Sequence, residues 1–119
     1  MQEQLISFET AKLAKEKGFI LPCHYWYNFK GLLCGRFERE HHPANGNFPS
    51  YSAPTQSLLQ KWLREIHGIH IAILPKMLPS NQVTYYSFKG KLKKNFENLY
   101  NTYEEALEVG LLEALKLIK

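Results

Sequence analysis

The sequence predicts an α+β fold: a small, mainly antiparallel three-stranded sheet at about residues 23–29, 69–74 and 83–88, with helices at about 8–17, 54–67 and 103–118 packed on it. Three observations carry this reading. Apolar residues recur every three or four positions in two long segments, the mark of a helix with one buried face. Ile69, Ile71 and Ile73 alternate with His70, Ala72 and Leu74, and Val83, Tyr85 and Ser87 with Thr84, Tyr86 and Phe88, which is the two-residue period of a strand. The run Cys23-His24-Tyr25-Trp26-Tyr27-Asn28-Phe29 is dense in β-favouring aromatic residues.

Taken in order, Ser7 caps the first helix, Glu9 sits in its first turn where the helix dipole favours an anion, and Lys15, Lys17 and Gly18 end it. Its apolar positions Phe8, Ala11 and Ala14 are sparse, which places it on the outside of a core. After the aromatic strand, residues 30–51 lose all periodicity and are punctuated by Gly31, Gly35, Pro43, Gly46 and Pro49, so they read as a long loop in which 31–37 can pair back as an edge strand. The second helix has Pro54 near its first turn, Ser52 or Thr55 as cap and a stripe of Leu58, Leu59, Trp62, Leu63 and Ile66; Gly68 ends it. Pro75 stops the strand that follows, and the short segment to Gln82 suits a hairpin into 83–88. In the last helix Thr102 and Glu105 form a capping box. Tyr103, Ala106, Leu107, Gly110, Leu111, Ala114, Leu115 and Ile118 then make a broad apolar stripe, widened by Val109, Leu112 and Leu117. That stripe exceeds what one face of three strands covers, which points to a second partner such as another subunit.

With 119 residues, the chain is sized for one domain over 1–119. Fifteen Lys and Arg oppose eleven acids, and every acid is Glu. The absence of Asp excludes an EF-hand loop, a Walker-type metal Asp, a DFG-like motif and an Asp-containing triad. No window approaches the roughly 18 apolar residues of a membrane span, and no basic-then-apolar leader opens the chain, so the expectation is a cytoplasmic protein without a membrane partner. Cys23 and Cys34, in apolar aromatic surroundings, read as reduced, buried thiols.

Two phrases near the ends and one in the middle carry a resemblance. Ile6-Ser-Phe-Glu-Thr-Ala-Lys-Leu-Ala-Lys-Glu-Lys-Gly-Phe19, then Ala53-Pro-Thr-Gln-Ser-Leu-Leu-Gln-Lys-Trp-Leu-Arg-Glu65 with Ile69-His-Ile71, and Tyr103-Glu-Glu-Ala-Leu-Glu-Val-Gly-Leu-Leu-Glu-Ala-Leu-Lys-Leu-Ile118 resemble a family of small uncharacterised proteins encoded by Bacteroides-type bacteria, their plasmids and their phages. The resemblance implies a bacterial intracellular setting, on a mobile element, and transfers no catalytic residue. The shorter phrase Leu59-Gln-Lys-Trp-Leu-Arg-Glu-Ile-His-Gly-Ile69 is similar to a helix of transposase winged-helix segments, but a strand-like stretch follows it here where those proteins continue in helix.

Charge is unevenly placed. Residues 76–94 hold Lys76, Lys89, Lys91, Lys93 and Lys94 with no acid, beside Tyr85, Tyr86 and Phe88. Lysines release counterions from phosphates and aromatic rings stack on bases, so Tyr86, Phe88, Lys89, Lys91, Lys93 and Lys94 form a candidate nucleic-acid or nucleotide contact. The plainer reading, and the favoured one, is that the lysines solubilise an edge strand. His24, His41, His42, Cys23 and Cys34 include zinc-ligand types, but no paired C-x-x-C or H-x-x-x-H spacing is present, so neither a metal nor a cofactor is expected. His67 suits the cation position at a helix C-terminus. Nucleophilic catalysis needs a Cys beside a His, and Cys23 and His24 point to opposite faces of a strand. Tyr25, Trp26 and Tyr27, with Leu112 and Leu117, are the candidate interaction surface. The leading expectation is a non-enzymatic binding or protein-interaction module that forms a homo-oligomer; the alternative is nucleic-acid or nucleotide binding through the lysine-rich hairpin.

Overall fold

The structure is a computed structural model and describes residues 3–21, 23–35, 50–79, 83–89 and 99–118. Among these residues the order is α1 (Phe8–Glu16), β1 (Tyr25–Tyr27), β2 (Leu33–Gly35), β3 (Tyr51–Ser52), α2 (Gln56–His67), β4 (Ile71–Met77), β5 (Val83–Lys89) and α3 (Tyr103–Lys116). The class is α+β, as the periodicities require, and the three helices lie where they were expected. The strands are partitioned differently. Instead of one sheet built from the aromatic strand and the two later ones, β2-β1-β3 form an antiparallel sheet and β4-β5 a separate antiparallel pair. The aromatic strand pairs with its own neighbour through a five-residue turn, whose closure costs little chain entropy, and β3 takes its other edge. No edge of β1 is then left for a strand some fifty residues away.

The chain divides into two compact units, Met1–Thr55 (with Lys119) and Gln56–Ile118. In the first, Ser7 caps α1, its Oγ accepting from the Thr10 backbone N–H at 3.3 Å, while the two hydroxyls lie 3.0 Å apart and Thr10 is fully buried. Ala11 and Ala14 turn inward with Ile6 and Phe19. Their small side chains let α1 lie close to the sheet, where the Phe8 ring stands 5.6 Å from Tyr27 and 5.7 Å from Tyr51. Tyr27 pairs with Tyr51 in the ladder, and its hydroxyl donates to the Ile6 carbonyl at 2.7 Å. Lys15 runs its stem along this cluster, its Nζ donating to the Ser50 carbonyl at 3.0 Å over the Tyr51 ring.

In the second unit α3 packs against α2 and against both strands of the β4-β5 pair. The broad stripe on α3 thus finds covers on two sides within the chain: Ala106, Leu107, Gly110, Leu111, Ala114 and Leu115 are all buried. On α2 the buried face is narrower than the apolar pattern implies. Gln56, Leu59 and Leu63 share an arc of about 60° at 3.6 residues per turn and are buried; Leu58 lies off it, Ile66 sits in the last turn, and both are exposed. Gln56 is tolerated there because its Nε2 donates to the Glu104 carbonyl and to Glu108 Oε1, each at 3.0 Å. Gln60 likewise reaches the Ile71 carbonyl at 2.8 Å.

Two boundaries moved. Pro75 was expected to stop its strand, yet β4 continues through it to Met77, with Pro75 set opposite Tyr85. In a two-stranded ladder each strand is an edge, where a missing N–H is tolerated. Ser52 lies in β3, its Oγ donating to the Leu21 carbonyl at 2.7 Å, so it does not cap α2. Thr102 does cap α3, its Oγ1 accepting from the Glu105 N–H at 3.1 Å. Thr102→Ala is expected to lower stability by about 1 kcal/mol in urea denaturation, with Thr102→Ser retaining most of it.

Candidate functional site

Among the described residues of the first unit, the β1-β2 hairpin carries three large apolar side chains turned to solvent. Asn28 builds its turn: the Oδ1 accepts from the Lys30 and Leu32 N–H groups at 2.9 and 3.0 Å, and the backbone carbonyl accepts from Gly31 at 2.9 Å. This Asx-type arrangement is a local alternative to the ladder that Asn supplies readily. Gly31 has φ +84°, and a Cβ there would stand 2.9 Å from the Phe8 ring, so the turn is seated on α1 only because that side chain is absent. The result is a hydrogen-bonded tip whose large side chains are turned to solvent, with Phe29 50%, Leu32 61% and Leu33 50% exposed. Lys30 Nζ lies 5.7 Å over the Phe29 ring. No acid occurs between Glu16 and Glu38, so the tip is apolar with a basic margin.

The predicted interaction residues are distributed as follows. Tyr25, Trp26 and Tyr27 form the central strand of the first sheet and are half-buried, Tyr27 being engaged with Phe8 and Ile6. Leu112 is half-buried and Leu117 exposed, both at α3 in the second unit. Of the lysine-rich set, Tyr86, Phe88 and Lys89 lie in β5; Lys91, Lys93 and Lys94 fall outside the described residues. The register sets Tyr86 opposite Leu74 and Phe88 opposite Ala72, both exposed positions, and Lys89 opposite the buried Ile71. Lys89 therefore alternates with the two aromatic residues along the strand.

Sequence reasoning passed over Leu32 and Leu33. The available signal was two leucines between Gly31 and Gly35, too short to show a period.

Cys23 and Cys34 are both free and half-buried. Cys23 Sγ donates to the Leu21 carbonyl at 3.5 Å, the same carbonyl that Ser52 Oγ reaches. Burial pushes the Cys23 thiol above its ordinary value, against a smaller lowering by the Ser52 hydrogen bond. This is the reverse of nucleophile activation, which requires a depressed thiol pKa. A raised folded-state pKa favours the neutral thiol, so its stabilising term is complete below the ordinary thiol range and is lost as pH rises through the raised value. Alkylation of Cys23 in the native protein is accordingly expected to be slow at neutral pH and to accelerate only in the alkaline range, measured by mass spectrometry of iodoacetamide adducts.

His24, beside Cys23, is exposed, and His41 and His42 lie outside the described residues. Among the described residues no three His, Cys or Glu side chains come together as a metal site. His67, the last residue of α2, sets its ring edge-on to Trp62 with centroids 4.6 Å apart, which gives it a packing role at that helix end. No helix among the described residues is long and apolar enough to cross a membrane. A comparison with family models, curated proteins and solved structures finds no match for this chain.

Proposed function

We propose that this protein is a non-enzymatic interaction module that self-associates through its first unit. The observation that carries the reading is the hairpin tip, where Phe29, Leu32 and Leu33 are held at half exposure or more on a turn braced by Asn28 and Phe8. Scattered single apolar residues need no explanation, but three large apolar residues half-exposed or more within five positions of one hairpin are the kind of surface that contacts other proteins. The raised thiol of Cys23 supports the non-enzymatic part, because the half-buried cysteine nearest a histidine in sequence is held away from its reactive form. Sedimentation velocity over a wide concentration range tests the proposal. The expected result is a concentration-dependent shift to dimer that Leu32→Glu abolishes; a strict monomer throughout would sink it.

A second reading is favoured by one observation: the positions that pair with Tyr86 and Phe88 in the β4-β5 ladder, Leu74 and Ala72, are exposed, and so is the nearby Lys76. Stacking on an unpaired base needs such an open position beside cationic residues. Anisotropy of a labelled single-stranded oligonucleotide at low salt is the measurement. Binding that weakens with added salt and on replacing Lys89, Lys91, Lys93 and Lys94 by Gln supports this reading, and no binding at low salt removes it.

A further inference from the structure

The reading of self-association leaves open where two copies meet, and the hydrogen bonding of β2 supplies a specific answer. The Asn28 N–H donates to the Leu32 carbonyl at 3.0 Å, and Trp26 pairs with Cys34. In an antiparallel ladder closely and widely spaced pairs alternate, so these bonds make Trp26 and Cys34 the residues that exchange both N–H···O contacts. The N–H and C=O of one planar peptide point in opposite directions. With the Leu32 carbonyl, the Cys34 N–H and the Cys34 carbonyl all turned toward β1, the Leu33 N–H, the Leu33 carbonyl and the Gly35 N–H must face the other way. β2 is an edge strand, and among the described residues nothing pairs with those outward groups.

An unpaired edge of this kind is satisfied by another strand, and the edge is its own complement. We propose that two copies pair antiparallel through β2 about a two-fold axis at Cys34. In that register each Gly35 N–H donates to the partner subunit's Leu33 carbonyl, and each Leu33 N–H faces the partner subunit's Gly35. Shape follows the same rule. The exposed Leu33 of one copy lies against a residue with no side chain, and Gly35 has to be glycine, since a Cβ there would collide with the His24 carbonyl of its own β1. The segment 31–35 carries no charge, so the axis brings no like charges together. Shifting the pairing by one step toward the turn would call on the Gly31 N–H, which already donates to Asn28 at 2.9 Å. The interface is isologous, as a two-fold demands, and it joins two three-stranded sheets into one of six.

The register makes a sharp statement about one atom. Cys34 meets the partner's Cys34 at a pair that exchanges no backbone hydrogen bonds, where Cα atoms lie about 4.5 Å apart, inside the roughly 4.4–6.8 Å span of a disulfide. The test uses the full chain carrying Cys23→Ser, treated with diamide, which takes up the two thiol hydrogens as the disulfide forms, and read on a non-reducing gel beside sedimentation velocity. A covalent dimer is expected at protein concentrations where the sedimenting species is a dimer, and none with Cys34→Ser. Leu33→Pro removes an outward N–H and no bond to β1, so it is expected to leave the circular dichroism unchanged and abolish the cross-link. Should that variant fail to fold, Leu33→Lys serves, with a dimer dissociation constant raised by about tenfold or more. Sedimentation as a dimer without any Cys34 cross-link would overturn the β2 register and leave self-association standing, and so would a Leu33→Lys chain that dimerises as tightly as the parent. A monomer at every concentration would overturn both.

Discussion

Replacing Gly35 by Ala is expected to unfold the β1-β2 hairpin and to cost the first unit about 3 kcal/mol, the sum of a left-handed backbone forced on an L-residue and a backbone collision. Gly35 has φ +137°, and the added Cβ would meet the His24 carbonyl oxygen and approach the Tyr25 Cα to 2.9 Å. Neither neighbour is the end of a flexible side chain, so relief requires moving β1 itself. Because β1 also pairs with β3, the disturbance should spread across the sheet. Urea denaturation followed by Trp26 fluorescence in a Trp62→Phe background is the measurement, with amide exchange at Trp26 and Cys34 as the local readout. Gly18→Ala is the control. Gly18 also has positive φ, but nothing stands within 4 Å of its Cβ position, so only the smaller backbone term of about 1 kcal/mol applies. Equal effects at the two glycines would show that the collision with β1 contributes nothing.

Leu59→Ala is the second large effect. Leu59 is completely buried on the narrow buried arc of α2, in the unit where α2 packs on α3. Truncation there removes the transfer term and leaves a cavity, and a loss of about 3–4 kcal/mol is expected from comparable leucines. The neighbouring Leu58 is 38% exposed, so Leu58→Ala should cost less than about 1 kcal/mol. The pair turns the narrow buried arc of α2 into a measurement, since a sequence pattern alone ranks the two leucines equally. Denaturation midpoints at constant slope would establish the difference, and similar midpoints for the two variants would show that the arc has been misassigned.

Three helices were legible because their signals are local. Ser7 and Thr102 each accept the backbone N–H three residues on, and α3's stripe repeats at helical spacing over the whole element. The alternation in β4 and β5 was legible for the same reason, as was the aromatic strand. The partners of that strand were not. Its pairing with β2 depends on a turn closed by the Asn28 side chain, and its pairing with the two-residue β3 carries no periodicity at all. Gln56 was invisible too, since a polar residue becomes a core residue only where acceptors on another helix, here the Glu104 carbonyl and the Glu108 carboxylate, are waiting for it. The candidate site was legible in part. Tyr25, Trp26 and Tyr27 could be singled out by composition, but the exposed trio Phe29, Leu32 and Leu33 depends on which side of a hairpin faces solvent.

The sequence by itself determined the α+β class, the three helices with the caps of α1 and α3, the basic stretch around β5 and the absence of every Asp-based device, because composition and short-range periodicity contain that information. Among the described residues, tertiary structure alone decided that five strands divide between two sheets, that the centre of the α3 stripe from Ala106 to Leu115 is buried within the chain, and that β2 is left as an edge with outward hydrogen-bonding groups. Those outcomes depend on which strand finds which partner across distance, a competition between loop-closure entropy and pairing that no local pattern encodes.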